Sequence, residues 1–191
     1  MSLKYTLLGF ISYGPQTGYD LKKHMDNSTQ FFWRARLSQI YPTLKKLAED
    51  GLVEAIVVPQ QGKPDKKVYL ITEAGRAALL DWLAEPMDKL SLTKDPALLR
   101  LFFSGALDKE MLLAQLRRQI PLHHAQLAHY QQDTTAYIEQ VIAETGLSRE
   151  GVMWELARQF GEEYECTWIQ WLEQAIETVE QKLQERQEIR K

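Results

Sequence analysis

At 191 residues, 45% apolar and 26% charged, the sequence holds enough apolar material for a core and suits one or two globular domains. No run approaches the roughly 18 to 20 apolar residues of a membrane helix. The start, Met1-Ser2-Leu3-Lys4, lacks the apolar region of a secretory signal, so a cytoplasmic protein with no membrane partner is expected. The net charge of −3 is unevenly spread: residues 1–84 carry 11 Lys and Arg against 8 Asp and Glu, and residues 85–191 carry 12 against 18. Such asymmetry fits a first half that faces phosphate and a second that does not. The lone Cys166 excludes an internal disulfide and a cysteine-based metal site, and it is expected to be buried as a small apolar residue.

In chain order, Tyr5 to Ser12 is apolar at most positions and stops at Tyr13-Gly14-Pro15, which predicts a buried first helix. Thr17-Gly18-Tyr19-Asp20 has the spacing of a capping box and opens a short helix to about Met25, with Leu21 and Met25 inward. The connection from Asp26 to Leu37 is polar except for Phe31, Phe32 and Trp33, which are expected to pack beneath a third helix.

That third helix is predicted over residues 38–50. Ile40, Leu44 and Leu47 share one side, while Ser38, Gln39, Pro42, Lys45 and Lys46 share the opposite one, flanked by Tyr41 and Thr43. Ser38 suits the N-cap, Pro42 in the first turn removes at most one hydrogen bond, and Asp50-Gly51 ends the helix. The β-branched run Val53 to Val58 and a second run, Lys66 to Ile71, flank a Gly- and Pro-containing tip and predict a β-hairpin. Thr72 caps a fourth helix, with Ala74, Ala78, Trp82 and Leu83 recurring at helical spacing, and Glu85-Pro86 closes the domain.

From there the chain is helical throughout. Asp95-Pro96 opens a helix to about Phe103, and a longer one runs from near Asp108 to Glu144, kinked or broken at Pro121. The last helix follows Ser148 and carries Met153, Leu156, Phe160, Tyr164, Trp168, Leu172, Ala175, Val179 and Leu183 as one apolar stripe. A helix of about 35 residues spans roughly 50 Å, so the stripe is expected to bury against a second copy of the chain. The fold class is therefore mainly α with a small β-hairpin: residues 1–86 a winged helix-turn-helix, residues 87–191 a long-helix dimerisation domain.

Catalytic readings are weak. His123, His124 and His129 do not face a common ligand position and are expected to be solvated, as are Glu162, Glu163 and Glu165. No phosphate-cradling glycine loop and no Ser-His-Asp or Cys-His set is apparent, and neither a cofactor nor a metal is implied. Trp154, Trp168 and Trp171 on the last helix either hold a small planar effector or fill an interface.

The run Ser38-Gln39-Ile40-Tyr41-Pro42-Thr43-Leu44-Lys45-Lys46-Leu47 through Gly51-Leu52-Val53 resembles the PadR family of bacterial transcriptional regulators. So do Gly62-Lys63-Pro64-Asp65-Lys66-Lys67-Val68-Tyr69 and Thr72-Glu73-Ala74-Gly75-Arg76, with Gly18-Tyr19-Asp20-Leu21 earlier. The likeness is nearest to the branch with a long helical C-terminal region, which includes the AphA-type virulence-gene activators. It implies a homodimer on a two-fold-related operator in double-stranded DNA. Carried over, Ser38, Gln39, Tyr41, Pro42, Lys45 and Lys46 would lie at the major groove. Gly62, Lys63, Lys66 and Lys67 would form the wing within residues 59–67, and Tyr19 would reach a phosphate. Lysines would supply salt-sensitive affinity, and Gln39 would make paired hydrogen bonds to adenine. Phenolic-acid-sensing members are expected to have a shorter C-terminal region, so no effector is carried over. The reading of a different class is a winged-helix protein-interaction adaptor.

Overall fold

The structure is a computed structural model; it describes residues 2–60, 62, 65–90 and 94–188, with the backbone alone for residues 2 and 184–188. The chain divides into two compact units, Met1–Leu90 and Ser91–Lys191.

In the first unit, helices α1 (Ser2–Ser12), α2 (Gly18–Asn27) and α3 (Leu37–Glu49) are followed by strands β2 (Val53–Val58) and β3 (Lys66–Ile71) and helix α4 (Glu73–Ala84). A strand of only two residues, β1 (Gln16–Thr17), precedes α2 and pairs antiparallel with β3, Gln16 opposite Tyr69 and Thr17 opposite Val68. The sheet is thus three-stranded in the order β1-β3-β2, where the sequence predicted a hairpin alone. Strands β2 and β3 pair from Val53 opposite Ile71 to Val58 opposite Lys66. One core joins these elements: Leu7, Leu8 and Ile11 of α1, Leu21 and Met25 of α2, and Ile40, Leu44 and Leu47 of α3, closed by Val53, Tyr69 and Leu79. Each apolar helix stripe is spent on this core, which is where most helical stability comes from in a short helix.

Two local features fix the end of α3 against α4. Gly51 takes φ 71°, the left-handed turn that glycine adopts without strain, and directs the chain into β2. Thr72 donates through its hydroxyl to the Gly51 carbonyl at 2.7 Å, while its own Oγ1 accepts from the Gly75 N–H and caps α4. A Cβ on Gly75 would sit 2.0 Å from the Leu52 carbonyl oxygen, so α4 can cross the end of α3 only with glycine there. The inward face of α4 is Gly75 and Leu79, with Tyr5 of α1 stacked on Trp82 at 4.7 Å; Ala74 and Leu83 are exposed, one residue away from the predicted face. Of the aromatic run, Trp33 packs against the core whereas Phe32 is largely exposed.

The second unit is helical: α5 (Pro96–Phe102) capped by Asp95, a single 3-10 turn at Ser104–Ala106, α6 (Lys109–His129), α7 (Thr135–Thr145) and α8 (Ser148–Glu188, 41 residues). Helix α6 runs unbroken through Pro121; the irregularity lies nine residues later, where Tyr130–Thr134 forms a π turn between α6 and α7. Tyr130 there is buried against α8, and a Cβ on Gly161 would fall 2.3 Å from its ring. Arg158 holds the same spot, bonded to Glu155, Glu162 and the Tyr130 carbonyl.

The apolar stripe of α8 does not stay on one side. Residues four apart are separated by 400°, so every such step turns the stripe by about 40°. Met153, Leu156, Phe160 and Tyr164 are exposed, but Trp168 and Leu172 are buried against Leu112 and Leu116 of α6, and Ala175, Val179 and Leu183 pack on that same cluster. The lower half of the predicted intermolecular stripe is therefore the core of its own chain. Cys166 is exposed, contrary to expectation, since it falls off this inward face.

Candidate nucleic-acid interface

The exposed face of α3 is built by its neighbours. Thr17 caps α2: its hydroxyl accepts from the Asp20 N–H at 3.1 Å and donates to Asp20 Oδ2 at 2.6 Å, and its own N–H donates to the same carboxylate, completing the predicted capping box. Asp20 also stands 3.9 Å from Lys66 Nζ at the start of β3. Burial pushes the Asp20 carboxyl up, but the Thr17 hydrogen bonds and the charge of Lys66 outweigh it, and the group lies below its ordinary value. The N-terminus of α2 and the base of the hairpin are thus tied through one carboxylate.

Against that frame α3 presents Ser38, Gln39, Tyr41, Pro42, Lys45 and Lys46, all exposed, while Ile40, Leu44 and Leu47 on its other side are fully buried. The helix starts one residue earlier than predicted: Arg36 is the N-cap and Ser38 lies inside the first turn. The Arg36 side chain carries only donors and caps nothing; instead Gln39 Oε1 accepts from the Arg36 N–H at 3.0 Å. Pro42 sits in the second turn, where it removes one ladder bond, and the fold tolerates it on the solvent side. Lys45 is 3.7 Å from Glu49, an exposed i,i+4 pair of small energetic weight. Lys46 makes no ion pair among the described residues.

Tyr19 in the first turn of α2 is exposed beside this face. Tyr41 packs its ring on Gly18, and burial together with the nearby Tyr41 hydroxyl pushes the Tyr69 phenol above its ordinary value. In the wing, Lys66 and Lys67 are exposed on opposite sides of β3, and Lys67 Nζ lies 5.8 Å from the Tyr69 ring centre. Gly62 adopts φ 71° in the connecting turn; Lys63 lies outside the described residues. Arg34 and Arg36, both exposed just ahead of α3, were missed as candidates, although two arginines four and two residues before Ser38 were visible in the sequence.

The second unit holds a cavity of about 820 Å³ between α5, α6 and α8, lined by Arg100, Gln115, Gln119, His123, Trp168 and Trp171 among others. His123 is not solvated. Its Nδ1 meets Glu165 Oε2 at 2.5 Å, and its ring stacks on Trp168 at 4.9 Å; Glu165 is buried, contrary to the expected solvated face. Trp171 stands edge-on to Trp168 at 5.3 Å. Trp154 does not line this cavity: 14 residues back along the helix, it is about 21 Å away. Among the described residues no group of three or more His, Cys, Asp or Glu is placed to hold a metal, and no helix is long and apolar enough to cross a membrane.

Three packed helices with the third exposed, followed by a hairpin and a closing helix, define a winged helix-turn-helix protein. Known proteins agree. A profile described as the Transcriptional regulator PadR-like family matches residues 7–81, and one described as Virulence activator alpha C-term matches residues 93–190. The negative transcriptional regulator PadR of Bacillus subtilis is 33% identical over 129 residues, which cover 68% of this chain and 71% of that protein. The chain belongs to the PadR-like family of transcriptional regulators, and not to an enzyme family. The crystal structure of Bacillus subtilis PadR in complex with operator DNA is similar at a TM-score of 0.80 and 29% identity, covering 94% of this chain and 99% of that one. The Vibrio cholerae virulence activator AphA is similar at a TM-score of 0.71 and 27% identity, over 93% and 98%. Bacillus subtilis PadR has also been crystallised with p-coumaric acid, and this chain covers 100% of that structure at a TM-score of 0.75 and 28% identity. That structure matches 95% of this chain, so little of this chain's length is missing from a relative crystallised with a phenolic acid.

Proposed function

We propose that the chain is a sequence-specific regulator that acts in the cytoplasm as a homodimer, binding a pseudo-palindromic operator through α3 and the wing. The observation that carries this reading is the division of α3: three fully buried side chains fix it to the core while Ser38, Gln39, Tyr41, Pro42, Lys45 and Lys46 stand exposed together. Side chains of these types suit base edges and phosphates of a major groove. The wing within residues 59–67 adds Lys66, Lys67 and, from the sequence, Lys63; Tyr19 adds a phosphate contact. On this reading residues 1–86 bind DNA and residues 87–191 dimerise. Phe160 and Tyr164, with Met153 and Leu156, are the exposed apolar part of α8 that a second copy covers; Trp168, Leu172 and Val179 support that face from the chain's own interior. Two copies then place two α3 helices on one face of the duplex, with half-sites about one helical turn apart or a multiple of it.

A small planar aromatic effector is the second element of the proposal. The cavity beside Trp168 and Trp171 has the size and aromatic lining of a ligand pocket, and the relative crystallised with p-coumaric acid supports an aromatic acid as the first compound to try. Trp154 does not contribute to that cavity.

The test is fluorescence anisotropy on duplexes tiling the gene's upstream region against shuffled DNA, at two salt concentrations. Tight, salt-sensitive binding to one tile supports the reading. Weak binding that is equal on every tile, including tiles from neighbouring genes, would favour a winged-helix adaptor instead. Quenching of tryptophan emission by p-coumaric acid, lost in Trp168→Leu, tests the effector site.

A further inference from the structure

Gln39 is the third residue of α3, and its side-chain oxygen is already in use. The Arg36 N–H that it faces at 3.0 Å is a donor, so only the amide oxygen can meet it, which fixes the orientation of the amide group. This is the return half of a capping box; Arg36, with a donor-only side chain, supplies no other half. Helix α3 therefore opens without a serine, threonine or acidic cap, and the Gln39 oxygen takes over the satisfaction of a free backbone donor at that end. What remains of Gln39 is the Nε2 amino group, exposed on the same face as Ser38, Tyr41 and Lys45, with two hydrogens and no partner among the described residues.

We infer that Gln39 reads the operator as a donor only, selecting guanine, while its oxygen stays on the Arg36 N–H as the cap of the recognition helix. Adenine offers an acceptor and a donor side by side in the major groove, and pairing with both needs the glutamine oxygen as well as its nitrogen. Guanine offers two adjacent acceptors, N7 and O6, which suit the two hydrogens of one amino group. Paired recognition of adenine would require the oxygen, held toward the Arg36 N–H by one lone pair, to meet the base with its other, whereas recognition of guanine makes no demand on the oxygen. The base-reading part of this inference rests on the operator binding proposed above, and the cap part does not.

Two variants separate the parts. Gln39→Glu keeps an oxygen for the Arg36 N–H and places negative charge near a helix N-terminus, yet it has no donors. Gln39→Ala removes both. Thermal unfolding of the full-length chain should leave Gln39→Glu at or above the wild-type midpoint and lower Gln39→Ala by a few °C, on the order expected for a lost cap. Equal midpoints for wild type and Gln39→Ala would overturn the cap. Selection from a randomised duplex library should give the wild type one half-site position at which guanine exceeds adenine by roughly tenfold. That preference should vanish in both variants while the rest of the selected sequence stays the same.

Wild-type preference for adenine at the position that changes in Gln39→Glu would overturn the donor-only reading in favour of paired recognition. Identical selected sequences for wild type and both variants would show that Gln39 reads no base. Failure of operator binding itself has a different signature: selected and shuffled duplexes are then bound alike by the wild type. In that case the base-reading claim falls with it and the unfolding midpoints alone decide the cap.

Discussion

Gly18, at the start of α2, lies directly beneath the ring of Tyr41 on α3: a Cβ added at residue 18 would come within 2.6 Å of Tyr41 Cε1. This contact sets how closely the first helix of the turn can approach the second. The displaced atom would be part of an exposed side chain, so the cost of a methyl group falls on the position of Tyr41 more than on the core. Gly18→Ala should therefore leave the unfolding midpoint within a few °C of wild type, helped by the better helix propensity of alanine, while weakening operator binding about tenfold. Unchanged affinity in an anisotropy titration would remove Tyr41 from the interface.

The crossing of α4 over the end of α3 is less forgiving. At Gly75 the atom in the way is the Leu52 carbonyl oxygen, which accepts from the Thr72 N–H at 3.1 Å and has no freedom to withdraw. Gly75→Ala should cost about 1–3 kcal/mol or more, whereas Gly9→Ala on α1, with nothing within 4 Å, should be neutral or stabilising by up to about 1 kcal/mol. Denaturant unfolding of the two variants makes the comparison.

Lysines of the proposed interface should differ in their salt signatures. Replacing Lys46, which has no ion-pair partner among the described residues, should reduce the dependence of log K on log salt by about two, one for each copy in the proposed dimer. Lys66 is partly neutralised by Asp20 at 3.9 Å, so Lys66→Ala should reduce the slope by less. Titrations at four salt concentrations would read both; equal slopes would mean that Asp20 releases Lys66 on binding.

Stability of the first unit should fall with acid in two stages. Burial beneath the Phe10 ring holds the His24 imidazole below its ordinary 6.5, despite Asp20 nearby, so the fold favours the neutral ring. That contribution is complete above pH 6.5 and is lost as pH falls through the lowered folded value. Asp20 acts in a separate window: its contribution is present above 3.8 and lost as pH drops below it. Thermal midpoints recorded across this range should lose the first stage in His24→Phe, which retains the ring on Phe10, and keep the second.

Along α8, substitutions should sort by the side on which they fall. Phe160→Glu should leave the fold intact and abolish self-association at micromolar protein, because Phe160 is exposed on its own chain. Leu172→Ala, at a position 1% exposed, should instead cost about 2–5 kcal/mol of folding stability. Sedimentation equilibrium and denaturant unfolding together would show whether the two effects separate in this way.

Much of the first unit was legible because its signals are local. The β-branched runs gave β2 and β3 with their observed limits, and the Thr17–Asp20 spacing gave the capping box that forms. Strand β1 could not be seen, since two residues show no alternation and the strand exists only through pairing with β3. Ser38 looked like the cap of α3 by residue type, yet the backbone turned helical at Leu37 and left the cap to Gln39. In the second unit the decisive contacts are distant. His123 and Glu165 are 42 residues apart, and nothing in either local sequence says that one buries the other. The α8 stripe was read as a single face because its drift of about 40° per four-residue step is small locally and large over the four such steps from Leu156 to Leu172.

The π turn at Tyr130–Thr134 gives the second unit one place where its length has slack. A wide turn takes up one residue more than a regular one, and one residue is worth about 100° of rotation about the helix axis. Deleting exposed Gln132 would therefore let α6 and α7 merge into one regular helix with buried Ile138 still on its present side, whereas a deletion within α6 itself would turn that side chain by about 100°. Gln132 should accept almost any side chain, whereas Gln131 donates to Glu162 Oε1 on α8 at 2.8 Å. At this one turn the long helical run can give up a residue and keep its register on either side.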